Sequence, residues 1–128
     1  MAADPKGDTV WVAEYWGGML AKFDINSKKL LAEYPVPHRQ ALPYAVVVDK
    51  NHMVWFSQMN ADRIGKFNPL TEQFTEYPLP SLGTGIRSID VDNSTNPPSI
   101  WVAEFGTNKI ARVQFRTASG SQLAAQKQ

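Results

Sequence analysis

No cysteine occurs among the 128 residues, which removes disulfides, thiolate metal sites and cysteine nucleophiles and leaves the redox compartment undecided. Long apolar runs are missing too, and nothing approaches the roughly 18 residues a membrane helix needs. The opening MAADPKGD has neither the basic nor the apolar region of a secretory signal, so no signal peptide is read and the compartment stays open. Charge of one sign is also lacking. Thirteen Lys and Arg against twelve Asp and Glu leave a net charge of +1 without a basic run, so neither nucleic acid nor an anionic membrane is an indicated partner. Gly-rich phosphate loops, paired-histidine zinc motifs and nucleophile elbows do not occur. What is present is 43% apolar and only 20% charged residues, enough for a packed core in one domain.

That core is written in repeats. EYPVP at 33–37 returns as EYPLP at 76–80, and three tryptophan segments, VWVAEY, VWFSQM and IWVAEF, centre on Trp11, Trp55 and Trp101 at spacings of 44 and 46. Each is followed by a second alternating run, at 19–24, 63–68 or 109–114, and two are preceded by another, at 44–49 and 86–92. The Glu-Tyr-Pro segments close the first two units, with prolines placed at a strand end because proline cannot donate to an interior ladder. DKNH, DINSKK, NPLTE and DNSTNPP supply the turn residues between them. Four short strands repeated every 40 to 50 residues predict an all-β fold of four-stranded antiparallel β-propeller blades. A β-sandwich would not repeat its sequence, and β-helix coils are shorter. About two and a half blades are expected in one partial propeller over 1–116, as units at 1–37, 44–80 and 86–116. The chain starts near the end of an innermost strand, and 117–128 reads as a flexible tail with at best a weak fourth strand.

The unit VWFSQMNADRIGKFNPLTEQFTEYPLP resembles the repeat of the virginiamycin B lyase (streptogramin lyase) family. The resemblance implies a closed propeller of about seven blades and, in enzyme members, a magnesium-assisted elimination that linearises a cyclic peptide lactone. Family catalysis of that kind uses histidine and glutamate from several blades, whereas this chain has two histidines.

Propeller ligands bind where the connections between blades meet the turns between the second and third strands of each blade. That rule puts His38, Arg39, Tyr44, Ser81, Thr84 and Arg87 on one face, together with Glu14, Tyr15, Trp16, Gln58, Asn60, Glu104, Thr107 and Asn108. His52 belongs to the opposite face. Glu14, Gln58 and Glu104 hold the same place in their units. Glu14 and Glu104 are candidate Mg²⁺ ligands through hard oxygens, the alternative being strand-end residues that bind backbone. His38 beside Arg39 reads either as a general base near a cation or as a solvated loop histidine. Trp11, Trp55 and Trp101 read as core between blades, whereas Trp16, in YWGG, breaks the repeat and reads as a ligand or subunit contact.

Three functions fit this pattern: a module binding a small-molecule or peptidic ligand, a magnesium-dependent streptogramin lyase completed across subunits, or an interaction scaffold cut from a longer propeller. An incomplete ring would expose apolar blade faces and unpaired strand edges. A homo-oligomer, with a dimer favoured, is therefore expected to close the ring, through Val10, Val12 and Leu20 at one end and Ile100, Val102 and Ile110 at the other.

Overall fold

The computed structural model describes residues 1–116, so the tail at 117–128 lies outside the described residues. Three antiparallel sheets follow one another along the chain. The first contains β1 (Ala2–Ala3), β2 (Thr9–Glu14), β3 (Met19–Asp24) and β4 (Leu30–Pro35) in that spatial order. The second contains β5 (Pro43–Val48), β6 (Val54–Gln58), β7 (Arg63–Asn68) and β8 (Gln73–Pro78), and the third β9 (Ser88–Asp92), β10 (Ser99–Glu104) and β11 (Lys109–Val113). These are β-propeller blades, and the two-residue β1 takes the innermost position in the first. Strand β5 sits at the inner edge, touching β1 and β2 on one side and β9 on the other. Among the described residues the one helical element is a 3₁₀ turn at Arg39–Ala41, and no helix is long and apolar enough to cross a membrane.

Alternation along each strand sends side chains to opposite sides, and both sides of the middle sheet are buried. Trp11, Leu20 and Val36 of the first blade pack on Val54, Phe56 and Phe67 of the second. Trp55, Ile64 and Leu79 on the other side of the second pack on Ile86, Ile89, Ile100 and Val102. Burying one such side chain is worth about 1.5 to 3 kcal/mol, so these two interfaces carry most of the apolar stabilisation.

The turns between second and third strands obey one backbone rule. Their last residues, Gly18, Asp62 and Asn108, all have positive φ, at 66°, 52° and 58°. Glycine, aspartate and asparagine are the residues that tolerate this left-handed region at least cost.

Two expectations need correcting. Leu20, Ile100 and Val102 are not at open ends: they are at most 1% exposed, because they point at the second sheet. Trp101 is not core either. It is 43% exposed, since its side of the third sheet is uncovered by any described residue, whereas Trp11 and Trp55 are buried as expected.

Candidate functional site

The face defined by the inter-blade connections is held together by backbone hydrogen bonds. The amide of Val36 donates to Gly18 O and that of Leu79 to Asp62 O, tying each connection to the turn of the blade it leaves. Met59 N donates to Leu42 O, Asn60 N to Ala41 O and Gly106 N to Thr84 O, tying the connections to the turns of the blades they enter. Asp62 fastens the second connection further. Its carboxylate accepts from the Gly83 amide at 3.0 Å and from the Thr84 amide and hydroxyl at 2.7 and 2.5 Å. Burial acts to raise the Asp62 carboxyl, but the Thr84 hydroxyl and the Thr84 and Gly83 amides outweigh it and hold the group below the usual carboxylate range.

On this frame the structure gathers the sequence-predicted residues into two clusters. Tyr15, Trp16 and Tyr44 form the first. Tyr15 packs edge-on against Trp16 with ring centroids 4.8 Å apart and against Tyr44 at 5.7 Å. Trp16 is 83% exposed. Tyr44 stands out because the β5–β6 register shifts between Pro43 and Val46, where the Ala45 amide donates to Ser57 Oγ at 2.9 Å. The second cluster is an open groove of about 490 Å³ lined by Arg87, Glu104 and Asn108 with Phe105, Lys109 and Ile110. There the Arg87 guanidinium lies 4.4 Å from the Phe105 ring centroid, a cation–π contact.

The remaining candidates are dispersed. Gln58 is fully buried between the first two sheets with neither amide atom hydrogen-bonded. Asn60 reaches toward Gln40 O at 3.5 Å. His38 turns outward to the far edge of the second sheet, with Nε2 3.5 Å from Glu76 Oε2, and Arg63 holds that oxygen at 2.6 Å. Arg39 packs its backbone and Cγ against Gly18. Glu14 and Glu104, in the first and third sheets, do not meet. Burial, then the hydrogen bond and charge of Glu33, pushes the Glu14 carboxyl up, while Glu104 accepts from the Thr107 hydroxyl.

A sequence model of the virginiamycin B lyase family matches residues 1–122. The chain belongs to this family. No curated protein sequence matches it. Among solved structures it is similar to a streptogramin B lyase (24% identity, TM-score 0.69, covering 89% of this chain and 39% of the other). It is similar too to a catalytically inactive virginiamycin B lyase from Staphylococcus aureus with quinupristin (16% identity, TM-score 0.69, 92% and 41%). The WD40 β-propeller domain of Doa1 shares the fold at 14% identity, TM-score 0.68, with 88% and 35% covered. The chain therefore spans about two-fifths of the length of the lyase structures it matches.

Magnesium is the metal that the family resemblance implies. Among the described residues no three His, Asp or Glu side chains converge to hold a cation, and the carboxylates of Glu14 and Glu104 are each engaged within their own sheet. The described part of this virginiamycin B lyase family chain does not fit a magnesium centre by itself.

His52, expected on the opposite face, has a partner that no local sequence pattern signals. His52 Nδ1 lies 2.7 Å from Asp4 Oδ1 beside a cavity of about 330 Å³, which Trp11 and Lys22 also line. Asp62, outside the sequence-predicted set, does carry a sequence signal: a left-handed-tolerant residue recurs at the same turn position in all three units.

Proposed function

We propose that this chain supplies part of a propeller face that binds a peptidic or small-molecule ligand through aromatic contacts. The observation that supports this is the Tyr15, Trp16 and Tyr44 cluster. Three rings drawn from a turn of one blade and the inner strand of the next offer apolar area at low side-chain entropy cost, as hot-spot residues do. The hydrogen-bonded connections beneath hold the rings in place, so little ordering is needed on binding. Similarity to a virginiamycin B lyase solved with quinupristin makes a cyclic peptide lactone the first ligand to try.

The test is tryptophan emission during titration with quinupristin. Trp16 is far more exposed than the other tryptophans, so quenching is expected in the wild type and is expected to disappear in Trp16→Ala. A wild-type spectrum that quinupristin leaves unmoved overturns the proposal for this ligand class.

Membership of the family favours a second reading, elimination on a streptogramin in a site completed by another copy of the chain. On that reading His38 is the base and Glu76, 3.5 Å away, orients its imidazole. Arg39 would place a cation near the developing oxyanion.

A further inference from the structure

Trp11 and Trp55 hold equivalent places in the first two sheets and sit in them alike. Trp11 packs on Tyr34 with ring centroids 5.9 Å apart and an interplanar angle of 31°, and Trp55 on Tyr77 at 5.8 Å and 32°. A lysine lies over each ring, Lys22 at 5.7 Å and Lys66 at 5.4 Å. Their indole N–H groups therefore point to the same end of the blade, the turn between its first and second strands. Trp55 is satisfied there, its Nε1 donating to Asp49 Oδ2 at 2.8 Å. Trp11 is 1% exposed, and a tryptophan so enclosed normally pairs its N–H. Among the described residues its Nε1 meets no acceptor, and the group is left toward the cavity that Trp11 and His52 line.

A longer turn accounts for the difference. Trp11 follows Asp4, the counterpart of Asp49, by seven positions, whereas Trp55 follows Asp49 by six. The backbone bond that closes the turn correspondingly joins Asp4 N to Thr9 O in the first sheet and Asp49 N to Met53 O in the second. In the longer turn Asp4 Oδ1 accepts from the Lys6 amide at 2.8 Å and lies 2.7 Å from His52 Nδ1 of the second blade, and it forms no bond to Trp11. The cavity of about 330 Å³ between the two turns is within the usual size of small-molecule sites, about 300 to 1,000 Å³. Both carboxylates at its wall are engaged, Asp4 as above and Asp8 with Lys6 at 3.6 Å. The Lys22 ammonium, at the same wall, has no carboxylate partner among the described residues. Met53 and Leu70 add apolar wall, and Leu70 is 90% exposed.

We propose that this cavity binds a small organic carboxylate, one oxygen accepting from the Trp11 indole, the other facing the Lys22 ammonium, and the apolar body lying against Met53 and Leu70. Two open donors, one of them cationic, call for an anionic acceptor, and such charge-assisted bonds are the strong ones. A neutral carbonyl would leave the ammonium without a counter-charge. Phosphate would bring further charged oxygens toward Asp4 and Asp8 and leave the apolar wall unused. The walls come from the first two blades alone, so neither outer sheet face takes part. The site lies on the face opposite the Tyr15, Trp16 and Tyr44 cluster and stands independently of any ligand bound there.

Titration with sodium phenylacetate tests this, read by the indole N–H resonances of the chain labelled with ¹⁵N-tryptophan. The Trp11 signal, identified by its absence in Trp11→Phe, is expected to shift saturably while the Trp55 signal stays in place. Benzyl alcohol, which keeps the ring without the carboxylate, and inorganic phosphate, which keeps the charge without the ring, are expected to leave it unmoved at the same concentrations. Lys22→Met retains the apolar stem over Trp11 and is expected to weaken phenylacetate binding by about tenfold or more, the scale of a hydrogen bond to a charged group. Melting temperatures of wild type and Lys22→Met across the same titration give a readout that needs no assignment, with the larger rise expected in the wild type. A Trp11 signal that phenylacetate leaves in place, an equal response to benzyl alcohol or phosphate, or equal affinity in Lys22→Met overturns the proposal.

Discussion

Phe56 lies directly across from Gly65 in the β6–β7 ladder, and its ring fills the space that a Cβ on residue 65 would need. The first and third sheets solve the same position differently, pairing Val12 with Ala21 and Val102 with Ala111. A large residue is matched to none, and a medium one to a methyl. Gly65→Ala is therefore expected to destabilise the chain by about 1 to 3 kcal/mol, as overpacking of a full core does. Adding Phe56→Val installs the pair used elsewhere and is expected to recover part of that loss. Urea denaturation of the two singles and the double closes the cycle, with a coupling of about 0.5 to 3 kcal/mol anticipated for residues in contact. Strictly additive effects would show that the pair is not coupled.

Asp62 is expected to act as a pH-dependent clasp on the connection between the second and third blades. Its folded carboxyl is held low, so its contribution is complete above the ordinary aspartate value of about 3.9 and is lost as pH falls through the lower folded value. Asp62→Ala leaves the Thr84 hydroxyl, on a fully buried residue, without its acceptor, at a cost of about 1 to 3 kcal/mol at neutral pH. Thermal unfolding from pH 7 to pH 2 should show the gap between variant and wild type closing at the acid end. A gap that stays constant with pH would mean that the carboxylate charge contributes nothing.

These two examples mark what the sequence made legible. Period, strand order and the turns came through because a strand advertises itself by local alternation, and each turn by its Asp, Asn, Pro or Gly. The strand predicted at 63–68 is β7 at Arg63–Asn68, and the tryptophan segment VWFSQM around Trp55 is β6 at Val54–Gln58. Which side of a sheet each residue takes was legible only in part. Leu20 and Ile110 are equivalent in sequence but opposite in exposure, since burial depends on the neighbouring sheet and not on the strand itself. The site was harder still. Tyr15 and Tyr44 come from different blades, and their contact depends on the register shift at β5. His38 was assigned to a face by its loop, but its outward turn toward Glu76 depends on Arg63 sharing that carboxylate, which no local pattern encodes.

On the elimination reading, turnover of a type B streptogramin should require His38. His38→Ala is expected to lower linearisation by about 10² to 10⁴, the usual loss on removing a general base, while leaving quinupristin quenching of Trp16 intact. Chromatographic separation of cyclic and linear product provides the measurement. Wild-type chain that leaves the substrate cyclic in the presence of Mg²⁺ removes this reading and leaves the binding proposal standing.

The Glu14 and Glu33 pair should show the opposite pH behaviour to Asp62. In the second sheet the counterpart of Glu33 is Glu76, which Arg63 neutralises at 2.6 Å. The position of Arg63 is taken in the first sheet by Met19, so Glu33 faces Glu14 without that cation. Burial and the Glu33 carboxylate raise the Glu14 group, so the folded chain binds more protons than the unfolded one just above the ordinary glutamate value of about 4.3. Stability must then fall as pH rises through that window, and the penalty is complete above the folded value. Glu33→Gln is expected to stabilise the chain at pH 7 by up to about 1 kcal/mol, the scale of half-exposed charge pairs, with no gain below about pH 4. Met19→Arg grafts the second sheet's solution onto the first and is expected to give a similar gain with both carboxylates kept. Thermal melts of the three proteins at pH 4 and pH 7 decide it. Equal melting temperatures at pH 7 would mean that solvent already screens the two carboxylates from each other.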